Sequence, residues 1–298
     1  MAVKAKTTSA VLWLALLIVG LGGLLPFLWI VLGSLKPDTE VQSGRLWPWQ
    51  QYQTVKAPAT PGAEPVKVTE RVTGENYRKI LKGLTNLPTY YFNTFYLAVA
   101  GTFLSLLLGT LAAYGFSQFG FAGNKWLFGL MLLTIMIPAE VTLMGRYELM
   151  FHLRLFDKIV GLLIAYAAGN LLLVIFIMRN VFNSVPRDLS DAAVIDGASP
   201  WKVFWDVFVP IGKNGIAACA VLTFLNIWNE FLFALTFTSQ ERVRTLPVGI
   251  TLLKGQFGRM ESGVLFATVL LSFLPIVLIF VLLQKQFVRG LSSGALKG

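Results

Sequence analysis

Six times along this chain the sequence runs for about two dozen residues with almost no charge, at 11–33, 93–116, 126–149, 159–182, 214–237 and 262–283. Crossing a hydrocarbon core as a helix takes roughly 20 mostly apolar residues, so each run is long enough to span. Hydrophobic residues make up 55% of the 298 and charged ones 13%. A soluble domain carries about 25% charged residues, so a water-facing surface of this length cannot be built from so few. The predicted fold class is therefore an all-α integral membrane protein, multi-pass, with six transmembrane helices in one transmembrane domain over 1–298. Helices satisfy their backbone polar groups internally, and no alternating ten-residue strand pattern of a membrane barrel is present.

Composition excludes several functions. The net charge is +10, but no basic helix with interleaved aromatics occurs, and Lys and Arg fall mainly in short loops where lipid headgroups attract them. No nucleic acid is expected as a partner; membrane lipid is. Cys219 is the single cysteine and His152 the single histidine, which removes an intrachain disulfide and any metal site built on histidines. No metal site is expected. Lys4 and Lys6 precede the first run, but that run is too long for a signal peptide and no A-x-A cleavage pattern follows. A retained helix is the expectation.

The largest loop spans 34–92. Its Thr-, Pro- and Ala-rich part, 54–65, reads as an irregular insertion, and 75–81 reads as a short interfacial helix. Two spans are interrupted by polarity: the third by Pro138 and Glu140, the fifth by Asn226, Asn229 and Glu230. Broken helices at membrane depth are tolerated beside protein or water and often mark a transport path. Proline kinks also occur in lipid-facing helices.

The loop at 183–213 is the most informative soluble segment. Pro186 suits a helix start. From Arg187 onward Leu189, Ala192, Ala193 and Asp196 share one face, where small alanines admit a close partner. Gly197 ends that helix, because glycine adopts the left-handed conformation without steric cost. Ser199 and Pro200 then supply an N-cap and a first turn. On the second helix Trp201, Phe204, Trp205 and Phe208 form an aromatic stripe, and Pro210 marks the boundary before the fifth span. By itself this hairpin also suits plain anchoring in headgroups.

The run Asp191-Ala192-Ala193-Val194-Ile195-Asp196-Gly197, followed nine residues on by Val207-Phe208-Val209-Pro210, resembles the E-A-A-x3-G-x9-I-x-L-P signature of inner-membrane subunits of binding-protein-dependent ABC importers. Asp191, Val207 and Val209 depart from it while keeping charge or apolarity. Trp228-Asn229-Glu230-Phe231-Leu232-Phe233-Ala234-Leu235, the tail segments Phe287-Val288-Arg289-Gly290-Leu291 and Gly294-Ala295-Leu296-Lys297-Gly298, and Glu75-Asn76-Tyr77 are similar to the carbohydrate-uptake, MalG-like branch.

That resemblance implies the type I ABC importer permease fold, in the cytoplasmic (inner) membrane, with both termini cytoplasmic. Counting Lys and Arg does not decide the orientation, since the long first loop holds much of one side's excess. It implies a cytoplasmic coupling-helix hairpin seated in a cleft of an ATPase subunit through Asp191, Ala192, Ala193, Asp196, Gly197, Trp201, Phe204 and Pro210, with Asp191 facing a basic residue there. The implied partners are a homologous second permease subunit, two ABC ATPase subunits, an extracytoplasmic solute-binding protein and a sugar, an oligosaccharide by branch. No phosphate-binding G-x4-G-K-[ST] loop or catalytic pair is present, so the chain is expected to be non-catalytic. No cofactor is expected in this chain; ATP and Mg belong to the partner ATPases.

Within the fifth span Thr223, Asn226 and Glu230 align on one stripe with Asn229 adjacent. They read either as interhelical hydrogen bonds, worth about 0.6–2 kcal/mol each, or as the polar lining of a sugar path. Asn170 is a further candidate for a helix–helix contact. No Arg or Lys lies deep in that span, which points to a neutral solute. A permease for glycerol phosphate or a polyol is the alternative within the class. From another class, an ion-coupled secondary transporter using Glu230 would keep uptake running after ATP depletion, and it leaves the hairpin unexplained.

Overall fold

The computed structural model describes residues 2–42, 52–56, 66–70, 74–83, 86–256 and 261–295. Among them, four helices are long and apolar enough to cross a bilayer: Ala15–Ser34 within α1 (Ala2–Ser34), α4 (Leu87–Gln118), α7 (Ile159–Asn183), and Ser262–Val281 within α13 (Ser262–Ala295). The third and fifth runs are not single helices. The third divides into α5 (Asn124–Ile135) and α6 (Leu143–His152), because Pro138 has no N–H and pushes Ile137 out of helical geometry. Tight backbone bonds bridge the break, Val141 N to Pro138 O at 3.1 Å and Leu143 N to Glu140 O at 3.2 Å. The fifth divides at 229–231 into α10 (Lys213–Trp228) and α11 (Leu232–Phe237).

The chain forms two compact units, Met1–Thr85 with Ile250–Leu274, and Asn86–Gly249 with Pro275–Gly298. In the first, short α2 (Asp38–Gln42) follows α1, and α3 (Glu75–Gly83) meets the end of α1 and the start of α13. Buried Asn76 donates from Nδ2 to Ser34 O and Lys36 O, both at 2.8 Å, satisfying carbonyls that a helix C-terminus leaves open. Tyr77 and Ser34 share a hydroxyl bond at 2.8 Å, and Lys79 pairs with Glu261. The first loop also holds an antiparallel hairpin of β1 (Tyr52–Lys56) and β2 (Val66–Glu70), with Tyr52 opposite Glu70 and Lys56 opposite Val66. Of the irregular insertion expected over 54–65, residues 54–56 are strand instead. Val and Thr on the flanks carry strand propensity that the Pro- and Ala-rich middle obscured; residues 57–65 lie outside the described residues, as do Leu296, Lys297 and Gly298 of the tail.

The second unit is built on α4 against α7. Gly101, Ser105, Gly109 and Ala113 repeat every fourth residue of α4 and are all buried. Such a stripe lets two backbones approach closely. Ser105 Oγ donates to Gly101 O at 2.7 Å and to Ala167 O of α7 at 3.2 Å. Two short helices, α8 (Arg187–Ile195) and α9 (Pro200–Ile211), form the 183–213 hairpin, and α9 meets α10 at a 77° bend. At the other end of the unit, Asn93 Nδ2 donates to Arg242 O and Arg244 O, both at 2.9 Å, ahead of α12 (Leu246–Gln256). Asp157 accepts from Ser239 N at 2.9 Å and Gln240 N at 3.0 Å. Burial pushes that carboxyl up, but those N–H groups outweigh it and hold Asp157 below the usual carboxylate range.

Two outcomes are expected from this packing. A Cβ on Gly109 would stand 2.6 Å from Val174 Cγ1, whereas one on Gly115 meets nothing within 4 Å. Gly109→Ala should therefore lower the thermal midpoint of the purified protein and Gly115→Ala should not. Asn76→Ala, which orphans two carbonyls, should lower it too, by the equivalent of about 1–3 kcal/mol, with Tyr77→Phe milder.

Candidate functional site

The hairpin begins with α8, whose N-terminus is fixed by Pro186. At its other end Gly197 has φ +80°. Gly197 N donates to Val194 O and Ala198 N to Ala193 O, both at 2.9 Å, the paired bonds of a left-handed C-terminal stop. Ser199 Oγ then accepts from Lys202 N at 3.3 Å, with Pro200 in the first turn of α9. Asp191, Ala192, Asp196 and Gly197 are exposed, while Ala193 is half-buried against the interior.

The aromatic stripe does not form one free face. Trp201 and Trp205 remain 58% and 43% exposed, whereas Phe204 and Phe208 are 1% exposed. Phe204, expected on the docking face, instead packs on Tyr114 of α4 at 5.2 Å between ring centroids. Phe208 lies 5.0 Å from Tyr114 and 5.4 Å from Phe182 of α7. The stripe straddles the edge of the α4–α7 seat, so half of it faces inward. Tyr114 OH adds a bond to Pro200 O at 3.0 Å. Pro210 stands in the last turn of α9, just ahead of the 77° bend into α10, and directly after a widened turn at Phe204–Phe208 closed by Val209 N to Phe204 O. Such a turn relieves the clash between a proline ring and the carbonyl four residues back. The exposed apolar side chains of α8 are Leu189, Val194 and Ile195, the last 86% exposed. Val194 and Ile195 were outside the stripe read from sequence, though they stand within the motif itself.

A second site lies inside the same unit. A cavity of about 780 Å³ is lined by residues of the third run, α7, α10 and α11, among them Glu140, Arg146, Tyr166, Asn170, Asn226 and Glu230. Asn226 Nδ2 donates to Asn170 Oδ1 across α10 and α7 at 2.9 Å. Glu230 accepts from Tyr166 OH at 2.6 Å and from Phe233 N at 2.7 Å and Ala234 N at 3.2 Å. One carboxylate thus braces α7 and caps α11 while bordering the cavity. Asn226 and Glu230 are brought together with Asn170, and both the bracing and the lining geometry apply.

Thr223 and Asn229 do not join them. Thr223 is fully buried with its Oγ1 unpartnered, and Asn229 bonds back to its own helix at Leu225 O, 2.8 Å. The turn that breaks the span at 229–231 swings Asn229 off the cavity wall. Trp228 is interior packing, stacked on Phe224 at 5.6 Å. Sequence reasoning missed Tyr114, Tyr166 and Arg146. The hydroxyl on an apolar helix was a signal for the tyrosines, and the charge inside the third run for Arg146.

Comparison with known proteins bears on the family and the fold. Residues 105–293 match the family described as the binding-protein-dependent transport system inner membrane component. The trehalose transport system permease protein SugB of Mycobacterium tuberculosis is 32% identical over 276 residues, 92% of this chain and 93% of that one. The trehalose/maltose transport system permease protein MalG of Thermococcus litoralis is 31% identical over 277 residues, 92% of each. The fold is similar to that of a chain in the crystal structure of a bacterial ABC transporter involved in the import of the acidic polysaccharide alginate. The TM-score is 0.71 at 23% identity, covering 95% of this chain and 97% of that chain. With a family match across most of its length, and with relatives at this identity along nearly all of it, the chain belongs to the family of binding-protein-dependent transport system inner membrane components.

Proposed function

We propose that this chain is a permease subunit of an ATP-driven ABC importer that carries a sugar, an oligosaccharide, across the cytoplasmic membrane by alternating access. The observation that carries the reading is the hairpin's attachment. Phe204, Phe208 and the Pro200 carbonyl are fastened to α4 and α7 through Tyr114 and Phe182, while Ile195 and Trp201 stay exposed. A partner gripping the exposed side moves the bundle with it. The similarity to permeases named for trehalose and maltose supports a sugar cargo.

In this reading 1–298 works as one transmembrane domain with six crossings: α1, α4, the broken pair α5–α6, α7, the broken pair α10–α11, and α13. Both termini and the hairpin lie on the cytoplasmic side. Asp191, Ala192, Asp196, Gly197 and Trp201 meet an ATPase subunit, with Ala193, Phe204 and Pro210 supporting them from beneath. The chain itself is non-catalytic; two ATPase subunits bind ATP and Mg. A second permease completes the path, and an extracytoplasmic binding protein delivers solute, as the family's description leads one to expect. Moving the assembly from 1:99 to 99:1 between its states takes about 5.5 kcal/mol of differential binding, which a hairpin docked in both states can transmit.

Two outcomes test this. At Gly197 a β-branched side chain would be held at positive φ, strained by about 1–2 kcal/mol although the space is open. In proteoliposomes holding the complete importer, Gly197→Val should hydrolyse ATP with much less sugar taken up per turnover. Unaltered coupling in that variant would sink the docking assignment. Tyr166→Phe should lower the thermal midpoint by the equivalent of about 0.6–2 kcal/mol, the worth of one interhelical bond.

A further inference from the structure

Arg146 is the one basic side chain on the cavity wall among the described residues. It lies on α6, one turn beyond the Pro138 break, and its guanidinium carbon sits 4.9 Å above the ring of Phe233 on α11. Its backbone N–H serves α6, donating to Thr142 O at 3.0 Å, but the guanidinium makes no hydrogen bond or ion pair among the described residues and meets only that ring. A charged side chain inside a membrane span is costly and normally finds a partner. Here the two cavity carboxylates leave it without one. Glu230 is engaged by Tyr166 OH and by two amide N–H groups. Glu140 lines the same cavity but is outside the 4 Å reach of an ion pair.

We infer that Arg146 is a specificity-determining residue that reads the acidic group of the transported saccharide, so that the cargo is an acidic rather than a neutral sugar. A guanidinium offers a rigid planar fork that matches a carboxylate through two parallel bonds. Resting its face on Phe233 leaves the N–H edges free to turn into the cavity. A neutral sugar, whose hydroxyls both donate and accept, leaves that charge unmatched in a poorly screened space, whereas an anion matches it. The cavity volume, about 780 Å³, falls in the range of roughly 300–1,000 Å³ usual for ligand pockets. The fifth span, which holds no Arg or Lys in its depth, pointed to a neutral solute. The cation stands on α6, and folding brings it to the same cavity as Asn226 and Glu230. This inference rests on the sugar-permease reading and sharpens it.

The test is ligand-dependent thermal stabilisation of the detergent-purified importer core, both permeases with both ATPases, without the binding protein. The probes are trigalacturonate, its uncharged methyl ester, and maltotriose. Wild type should bind trigalacturonate at least about tenfold more tightly than the ester, the worth of one charged hydrogen-bond partner. Arg146→Gln should abolish that preference, and Arg146→Lys, which keeps the charge but not the fork, should retain part of it. If Arg146→Gln does not assemble, the acid-against-ester comparison on wild type and the Lys variant decides. A wild type that binds maltotriose or the ester as tightly as the acid overturns the inference while the sugar reading stands. An unchanged acid preference in Arg146→Gln overturns it as well. Binding of none of the three saccharides removes the sugar reading and the inference with it.

Discussion

The close approach of α4 to α7 is the constraint on which the rest of the second unit depends. Helices in lipid gain nothing from hydrophobic exclusion against one another, so they associate by packing and by polar bonds. The Gly101, Ser105, Gly109 and Ala113 stripe supplies the packing, and Ser105 supplies a bond across the seam. With the two backbones close, their inner faces make the seat for Phe204 and Phe208 at one end. At the other end the start of α4 holds the 238–245 loop through Asn93.

The hairpin and the cavity are consequences of this frame acting at two levels. The hairpin is rigid because each turn has a local cause: the glycine stop at Gly197, the Ser199 cap, and the widened turn that absorbs Pro210. It is coupled because Tyr114 ties it to α4. The cavity exists because Pro138 interrupts the third run and Glu230 interrupts the fifth, so side chains fail to fill the space beside α7. Glu230 then closes the accounts of its own break, capping α11 with the oxygens that also brace Tyr166.

Much of this was legible in the residues. The apolar runs gave the membrane and the helical class, though not the breaks in the third and fifth; the D-A-A-x3-G spacing with Ser199-Pro200 gave the hairpin; and Asn170 stood as a candidate helix–helix contact. The failures have a common physical source. Thr223, Asn226 and Glu230 share a stripe on an ideal helix, but a stripe is wider than the wall of one cavity. Thr223 turns into the protein and Asn229 returns to its own backbone. The aromatic stripe likewise covers both a seat and a free surface, so Phe204 and Trp201 have different fates although they stand three residues apart.

What the sequence by itself determined is local and periodic: which segments must leave water, where glycine and proline stop a helix, and which short motif sits between two spans. These follow from transfer energies and backbone sterics, which act residue by residue. Only the tertiary structure decided which half of a stripe is buried, that Glu230 both braces and borders, and that Arg146 from α6 shares a cavity with residues of α10 and α11. Such outcomes depend on distances between helices far apart in the chain, and no single helix's pattern contains them.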